Sequence, residues 1–409
     1  METGQSAITI DFRDPAYRHD PYPYLARLRQ HDPVHFSELG IWIITRHADV
    51  DALNRDHRLG RDIKRWHGYP ILRPYLADST LEQCVENWMF FLDPPEHTRL
   101  RRLVSYAFTP RVVHQMKADI AAIADELLDE VEGETAVDLM SFFAQPFPVR
   151  VIARILDLPI HDFAQLKAWS DALARVVEPT FPRKYKEAAN TATAEMEAYL
   201  RARIAERRQS PGDDLLGQLI AVEEMGDRLT EAELVSQLVL MFIAGHETTT
   251  NLIGNGLFAL LRHPDQMSRL RNDLSLLPTA VEEFLRYDSP ATLTIRVPLE
   301  DIHLDGKTIE AGQLVMGMLA AANRDPLVFE NPDQLDIGRN PNPHVSFGGG
   351  VHYCLGAPLA RLEAQIAFER ILQRWSSIEV DESQVQWRDF INLRGLERLP
   401  LMVRPRSKR

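Results

Sequence analysis

Two cysteines in 409 residues, Cys84 and Cys354, are too few for a disulfide framework or a four-thiolate metal centre. An excess of positive charge is also missing: 46 Lys+Arg stand against 59 Asp+Glu, a formal net charge of −13. Phosphate recognition needs a basic footprint, so nucleic acid is excluded as the main partner. Long hydrophobic runs are absent as well. The longest near-apolar stretch, Leu238 to Gly245, falls far short of the roughly 18 residues of a membrane span. The N-terminal Met-Glu-Thr-Gly-Gln-Ser has no basic segment leading into an apolar one, so neither a secretory signal nor a membrane partner is expected. A cytoplasmic monomer is the expectation. No internal repeat, low-complexity linker or charge run divides the chain, and 45% hydrophobic residues suffice for one large core. Residues 1–409 therefore read as a single domain.

The first 35 residues, with Asp-Pro at 14, 20 and 32, read as an arm around one short helix. Val34 to Thr45 alternates apolar and polar residues across Leu39-Gly40, which predicts a β-hairpin. Helical periodicity dominates from His47 to Pro290, and short β-branched runs return at Thr292 to Pro298, Asp301 to Ile309 and near the C-terminus. The fold class is mainly α with small β-sheets. Thr230 and Glu233 form a capping-box pattern, and helix-compatible sequence continues to Arg262 before His263-Pro264 stops it. About 32 residues give a helix of roughly 48 Å, a spine across the molecule. Its middle, Leu238 to Ala244, is apolar on every side and is expected to be buried all round.

The most informative segment is F-G-G-G-V-H-Y-C-L-G-A-P-L-A-R, Phe347 to Arg361. Three glycines free the backbone for positive φ and close approach, and a helical pattern follows Cys354. Taken alone, Cys354 fits a free core cysteine beside a flexible loop. The full pattern F-G-x-G-x-H-x-C-x-G instead resembles the haem-ligand loop of the cytochrome P-450 superfamily, and further family motifs follow in order from residue 93 to 396. The resemblance implies haem b between the long helix and the cysteine loop, with Cys354 as axial iron ligand and Phe347 packed on its loop. A thiolate ligand pushes electron density toward bound oxygen and needs N–H donors and a helix N-terminus to stay ionised. The turn at Gly356 is placed to supply them.

Haem carries two carboxylates, which require cationic donors. His97 and Arg101, four apart after Asp93-Pro94-Pro95, share a helix face that by itself would pass for an ordinary basic surface. The resemblance makes them propionate ligands together with Arg296 and His352. Glu283 and Arg286 form E-x-x-R, which the resemblance turns from a surface pair into a buried structural one completed by Arg339. Ala244 to Thr249, A-G-H-E-T-T, is similar to the family's oxygen-activating motif. There Thr248 bonds back to the Ala244 carbonyl, and Glu247 with Thr248 delivers the two protons that release water. His246 points away from the haem and receives no role.

The family's substrate positions fall on Leu240, Ile243, Ala244 and Thr248, on Thr292 and Thr294, and on Asn392 and Leu393. An aromatic-rich cap would span Arg61 to Leu92, with Trp66, Tyr69, Tyr75, Trp88, Phe90 and Phe91. A lid would span Val177 to Tyr185. The implied activity is monooxygenation of a hydrophobic small molecule, using O2 and electrons from NAD(P)H. With no fused reductase, these arrive through ferredoxin and its reductase or a flavodoxin-type partner, drawn to Arg102, Arg111, Lys117 and Arg361. A peroxide-driven peroxygenase and a non-catalytic haem sensor are the rival readings; the Glu247-Thr248 pair speaks against both.

Overall fold

The computed structural model describes residues 10–77, 79–178, 183–212, 214–224 and 228–406. Helices dominate, with the sheets small and peripheral to them. The helix Glu231–Leu261 is the spine: Thr230 and Glu233 form the reciprocal capping box, which satisfies the first free N–H groups of the helix. It packs against the helices Pro146–Ile155, Phe163–Ala174, Lys186–Gln209, Leu277–Tyr287 and Ala357–Arg374. At Gly256 a Cβ would lie 2.7 Å from the Phe368 ring and 3.0 Å from Phe284, so the glycine lets the long helix sit directly on the last two of these.

Five strands form the main sheet: β1 Val34–Phe36, β2 Ile41–Ile44, β3 Leu59–Gly60, β4 Thr294–Pro298 and β5 Leu314–Gly317. Their order is β1-β2-β5-β4-β3, with only β2 and β5 parallel. The expected hairpin is present, turning at Gly40 with φ +71°. Its neighbour β5 pairs Val315 with Arg296, and β3 pairs Gly60 with Val297. These two pairings bring the segment after Gly60 beside the strand that carries Arg296.

Two expectations need correction. The N-terminal arm holds two short helices, Pro15–His19 and Tyr22–His31, because each follows its own Asp-Pro start. The middle of the long helix is not buried all round: Ala244 is exposed, and Met241, Gly245 and Thr248 are part-exposed. These four lie at helical spacing, so one stripe of an otherwise buried helix is not covered by protein side chains.

Candidate active site

The cysteine loop is folded tightly enough to aim one sulfur. Gly348 and Gly350 take φ +67° and +61°, a region only glycine enters without strain, and a Cβ on Gly350 would meet the Asn54 carbonyl at 2.5 Å. The Cys354 N–H donates to the Phe347 carbonyl at 2.9 Å, closing the loop over that ring. Gly356 then caps the helix Ala357–Arg374. Burial pushes the Cys354 thiol up, while the N–H groups of Gly356 and Ala357 and the charges of Arg101 and Arg361 pull the other way. These donors favour a thiolate once a cation binds the sulfur.

Beside the loop lies a cluster of cations. His97, on the helix Glu96–Ala107, is buried, and its ring centroid is 4.0 Å from that of His352. One turn on, Arg101 donates to the Tyr353 carbonyl at 2.6 Å. Arg296 is buried and donates to Thr294 Oγ1 at 2.6 Å, the Ile295 carbonyl at 2.8 Å and Asn54 Oδ1 at 3.0 Å. Sequence reasoning missed Arg61, which reaches the same Thr294 oxygen at 3.0 Å. Burial and the neighbouring arginines drive His97 down to about 4 and His352 lower still. Arg296 is likewise depressed, by burial and then by Arg61. Buried His97 Nδ1 and Arg61 Nε have no hydrogen-bond partner. So much depressed cationic charge, with orphaned donors, fits a dianionic group such as haem.

On the long helix Thr248 Oγ1 donates to the Ala244 carbonyl at 2.8 Å, as the sequence predicts. The space implied by Gly245 has a packing cause: a Cβ there would lie 2.5 Å from Ile152 Cδ1. Glu247 is buried and bonded through both oxygens to Arg388. Burial would raise this carboxyl, but the charges of His246 and Arg388 outweigh it and hold it below the usual range. His246 turns to the Phe163–Ala174 helix, 3.0 Å from Ser170 Oγ. Glu247, His246 and Arg388 also line a polar cleft of about 260 Å³, with Lys167, Asp171 and Glu397.

Of the other substrate positions, Leu240 and Ile243 are buried within the main core. Thr292 donates its hydroxyl to the Ile391 carbonyl at 2.6 Å, and Thr294 sits under the two arginines. Leu393 packs with Ala174, Phe390 and Val177, and Asn392 Nδ2 donates to the Val177 carbonyl at 3.2 Å. Sequence reasoning also missed Glu178, whose buried carboxylate accepts the N–H groups of Ile391, Asn392 and Leu393 at 2.7, 3.0 and 3.3 Å. The cap divides: Trp88 is wholly buried in the core, while Phe90 is exposed and lies under Arg61. The Tyr75 side chain and lid residues 179–182 lie outside the described residues.

Glu283, Arg286 and Arg339 lie together. Arg286 and Glu283 are fully buried at 2.7 Å, Arg339 joins at 3.1 Å, and Arg286 also donates to the carbonyls of Asn323 and Pro332. Arg361, expected at a docking surface, instead pairs with Glu282 at 2.7 Å and lies 4.5 Å over the Phe347 ring.

A family profile described as Cytochrome P-450 matches residues 76–396. The polyketide biosynthesis cytochrome P-450 PksS of Bacillus subtilis is 40% identical, over 95% of this chain and 96% of its own. Cytochrome P-450 107B1 of Saccharopolyspora erythraea is 42% identical over 99% of this chain and 100% of its own. Among solved structures, P450BioI in complex with an acyl carrier protein ligated to hexadec-9Z-enoic acid superposes with a TM-score of 0.89 at 39% identity, covering 95% of this chain and all of that one. Among the described residues no helix is long and apolar enough to cross a membrane. With the loop, the cation cluster and the Thr248 back-bond all in place, this chain belongs to the cytochrome P-450 family and is a haem-thiolate monooxygenase that draws its reducing equivalents from a partner.

Proposed function

We propose that the chain inserts one oxygen atom into a hydrophobic small molecule, by hydroxylation or epoxidation, with NAD(P)H as the electron source. The observation that carries this is a cysteine between N–H donors at a helix start, combined with a threonine on the long helix whose hydroxyl bonds back to the Ala244 carbonyl. Haem b, bound through Cys354, supplies the iron at which dioxygen is activated. His97, Arg101, Arg296 and His352 hold its carboxylates. The N–H groups of Gly356 and Ala357 orient the sulfur and stabilise its charge. Thr248 holds a proton at the open stripe of the long helix, and Glu247 replenishes it from the polar cleft. Ala244, with Leu240 and Ile243, walls the substrate space, and the turn at Asn392 and Leu393 closes it.

A ferredoxin with its reductase, or a flavodoxin-type protein, docks beside the cysteine loop, where Arg102, Arg111 and Lys117 are exposed. The names of the relatives, one in polyketide biosynthesis and one solved with a fatty-acylated carrier protein, support an aliphatic chain as substrate. The second also favours a reading in which the chain arrives tethered to a carrier protein. Titrating free fatty acids and their carrier thioesters, and following the low-to-high-spin shift, separates the two. Turnover with a surrogate reductase but not with peroxide alone supports the monooxygenase; the reverse identifies a peroxygenase, and no turnover a sensor.

A further inference from the structure

Arg61 is a part-buried cation for which the four expected carboxylate ligands leave no task. Its position is set by backbone: Gly60 pairs with Val297 across β3 and β4, and the Arg61 N–H donates to Asp93 Oδ1 at 2.6 Å. That carboxylate also accepts from the Asp62 N–H at 3.4 Å and lies 3.7 Å from Arg65, so the Arg61 guanidinium does not pair with it. The guanidinium instead lies 4.6 Å from the Phe90 ring centroid and donates through Nη2 to Thr294 Oγ1, leaving Nε buried without a partner.

Arg296 donates to the same hydroxyl oxygen at 2.6 Å. A hydroxyl has two lone pairs and one hydrogen. With both lone pairs taken by guanidiniums, the Thr294 hydrogen is left to donate to a third group. Two arginines converging on one neutral oxygen repel each other, and among the described residues neither forms a salt bridge. Burial brings Arg61 down to about 10, with Arg101 adding to the effect and Asp93 opposing it. Such a pair is built around a carboxylate that completes it.

The geometry points to Arg61 and the Thr294 hydroxyl as additional ligands of a haem carboxylate, joined with Arg296 into one clamp; this rests on the haem reading of the site. The shared chemistry is a carboxylate, and its other source is an acidic substrate. The haem is favoured because Arg61 shares its Thr294 acceptor with Arg296, the residue expected on the haem carboxylate.

The test uses full-length holoenzyme and follows haem transfer to excess apomyoglobin by absorbance. Arg61→Ala is expected to lose haem about tenfold faster than wild type, and Thr294→Val several-fold faster. Arg61→Lys falls between, because an ammonium cannot donate along two directions of a planar fork. Wild type and Arg61→Ala are titrated with palmitate and methyl palmitate, and the proposal expects the preference between them to be unchanged. Wild-type haem retention in Arg61→Ala and Thr294→Val overturns it; a lost preference for palmitate then assigns the carboxylate to substrate. If Arg61→Ala does not fold, Thr294→Val decides alone. A wild-type chain that binds no haem removes the haem reading itself, a separate failure.

Discussion

Arg388 bonds both carboxylate oxygens of Glu247, 141 residues away in sequence and in the middle of the long helix. The pair is buried on the Glu247 side and opens toward the polar cleft on the other. Glu247 is thus held ionised, and under the proposed proton delivery to Thr248 this bond must give way. Replacing Arg388 with Gln leaves a buried carboxylate with a neutral partner, which costs about 3–5 kcal/mol and raises the carboxyl. The urea midpoint should fall, and the acid limb of the turnover profile should move to higher pH. An unmoved acid limb would separate Glu247 from proton delivery.

Thr248→Ala should leave haem content and substrate binding intact while product per NAD(P)H falls several-fold. The lost hydroxyl interrupts proton delivery and not reduction of the iron. Thr248→Ser should recover most of the coupling. Equal coupling in all three proteins would contradict the role.

Glu282 ties its helix to the cysteine helix through Arg361 at 2.7 and 2.8 Å, and meets His344 at 3.0 Å. Burial would raise this carboxyl, but the hydrogen bonds of Arg361 and His344 prevail and hold it at about 2. Its folded value lies below the unfolded one, so its stabilisation is present above pH 4.5 and is lost as pH falls toward 2. With partial exposure taken into account, about 1–2 kcal/mol is at stake. The stability gap between wild type and Glu282→Gln, from urea melts, should shrink across that window. A gap independent of pH would refute the linkage.

Glu178 joins the end of the Phe163–Ala174 helix to the turn Ile391 to Leu393 through three N–H donors. Removing the carboxylate leaves three buried donors unpaired at the turn expected to close the substrate space. Glu178→Ala should speed substrate dissociation roughly tenfold, read by stopped-flow relaxation of the spin state. Glu178→Asp should fall between the two. Unchanged exchange would confine the contact to a structural role.

The contrast between Glu178 and the cysteine loop shows what the sequence makes legible. Gly348, Gly350, Cys354 and Gly356 lie within one turn, where backbone requirements dictate residue types at fixed spacing. The long helix announces itself through Thr230, Glu233 and the stop at Pro264 for the same local reason. Protein side chains leave Ala244 uncovered on this helix, which its apolar sequence does not announce, because hydrophobicity reports what a residue tolerates, not which neighbour packs against it. Arg61, Arg388 and Glu178 were missed because their partners lie more than a hundred residues away. Arg61 meets Thr294 only after β3 pairs with β4, and no periodicity encodes that meeting.

Absorbance of the reduced carbonyl complex tests the central claim, that Cys354 binds the haem iron as a thiolate. Wild type should show the red-shifted Soret band of a thiolate-ligated haem. Cys354→Ser should lose that band while still taking up haem through its carboxylate ligands, because an alcohol is a much weaker donor. A mutant that keeps the band, or a wild type that loads haem without showing it, would contradict the account.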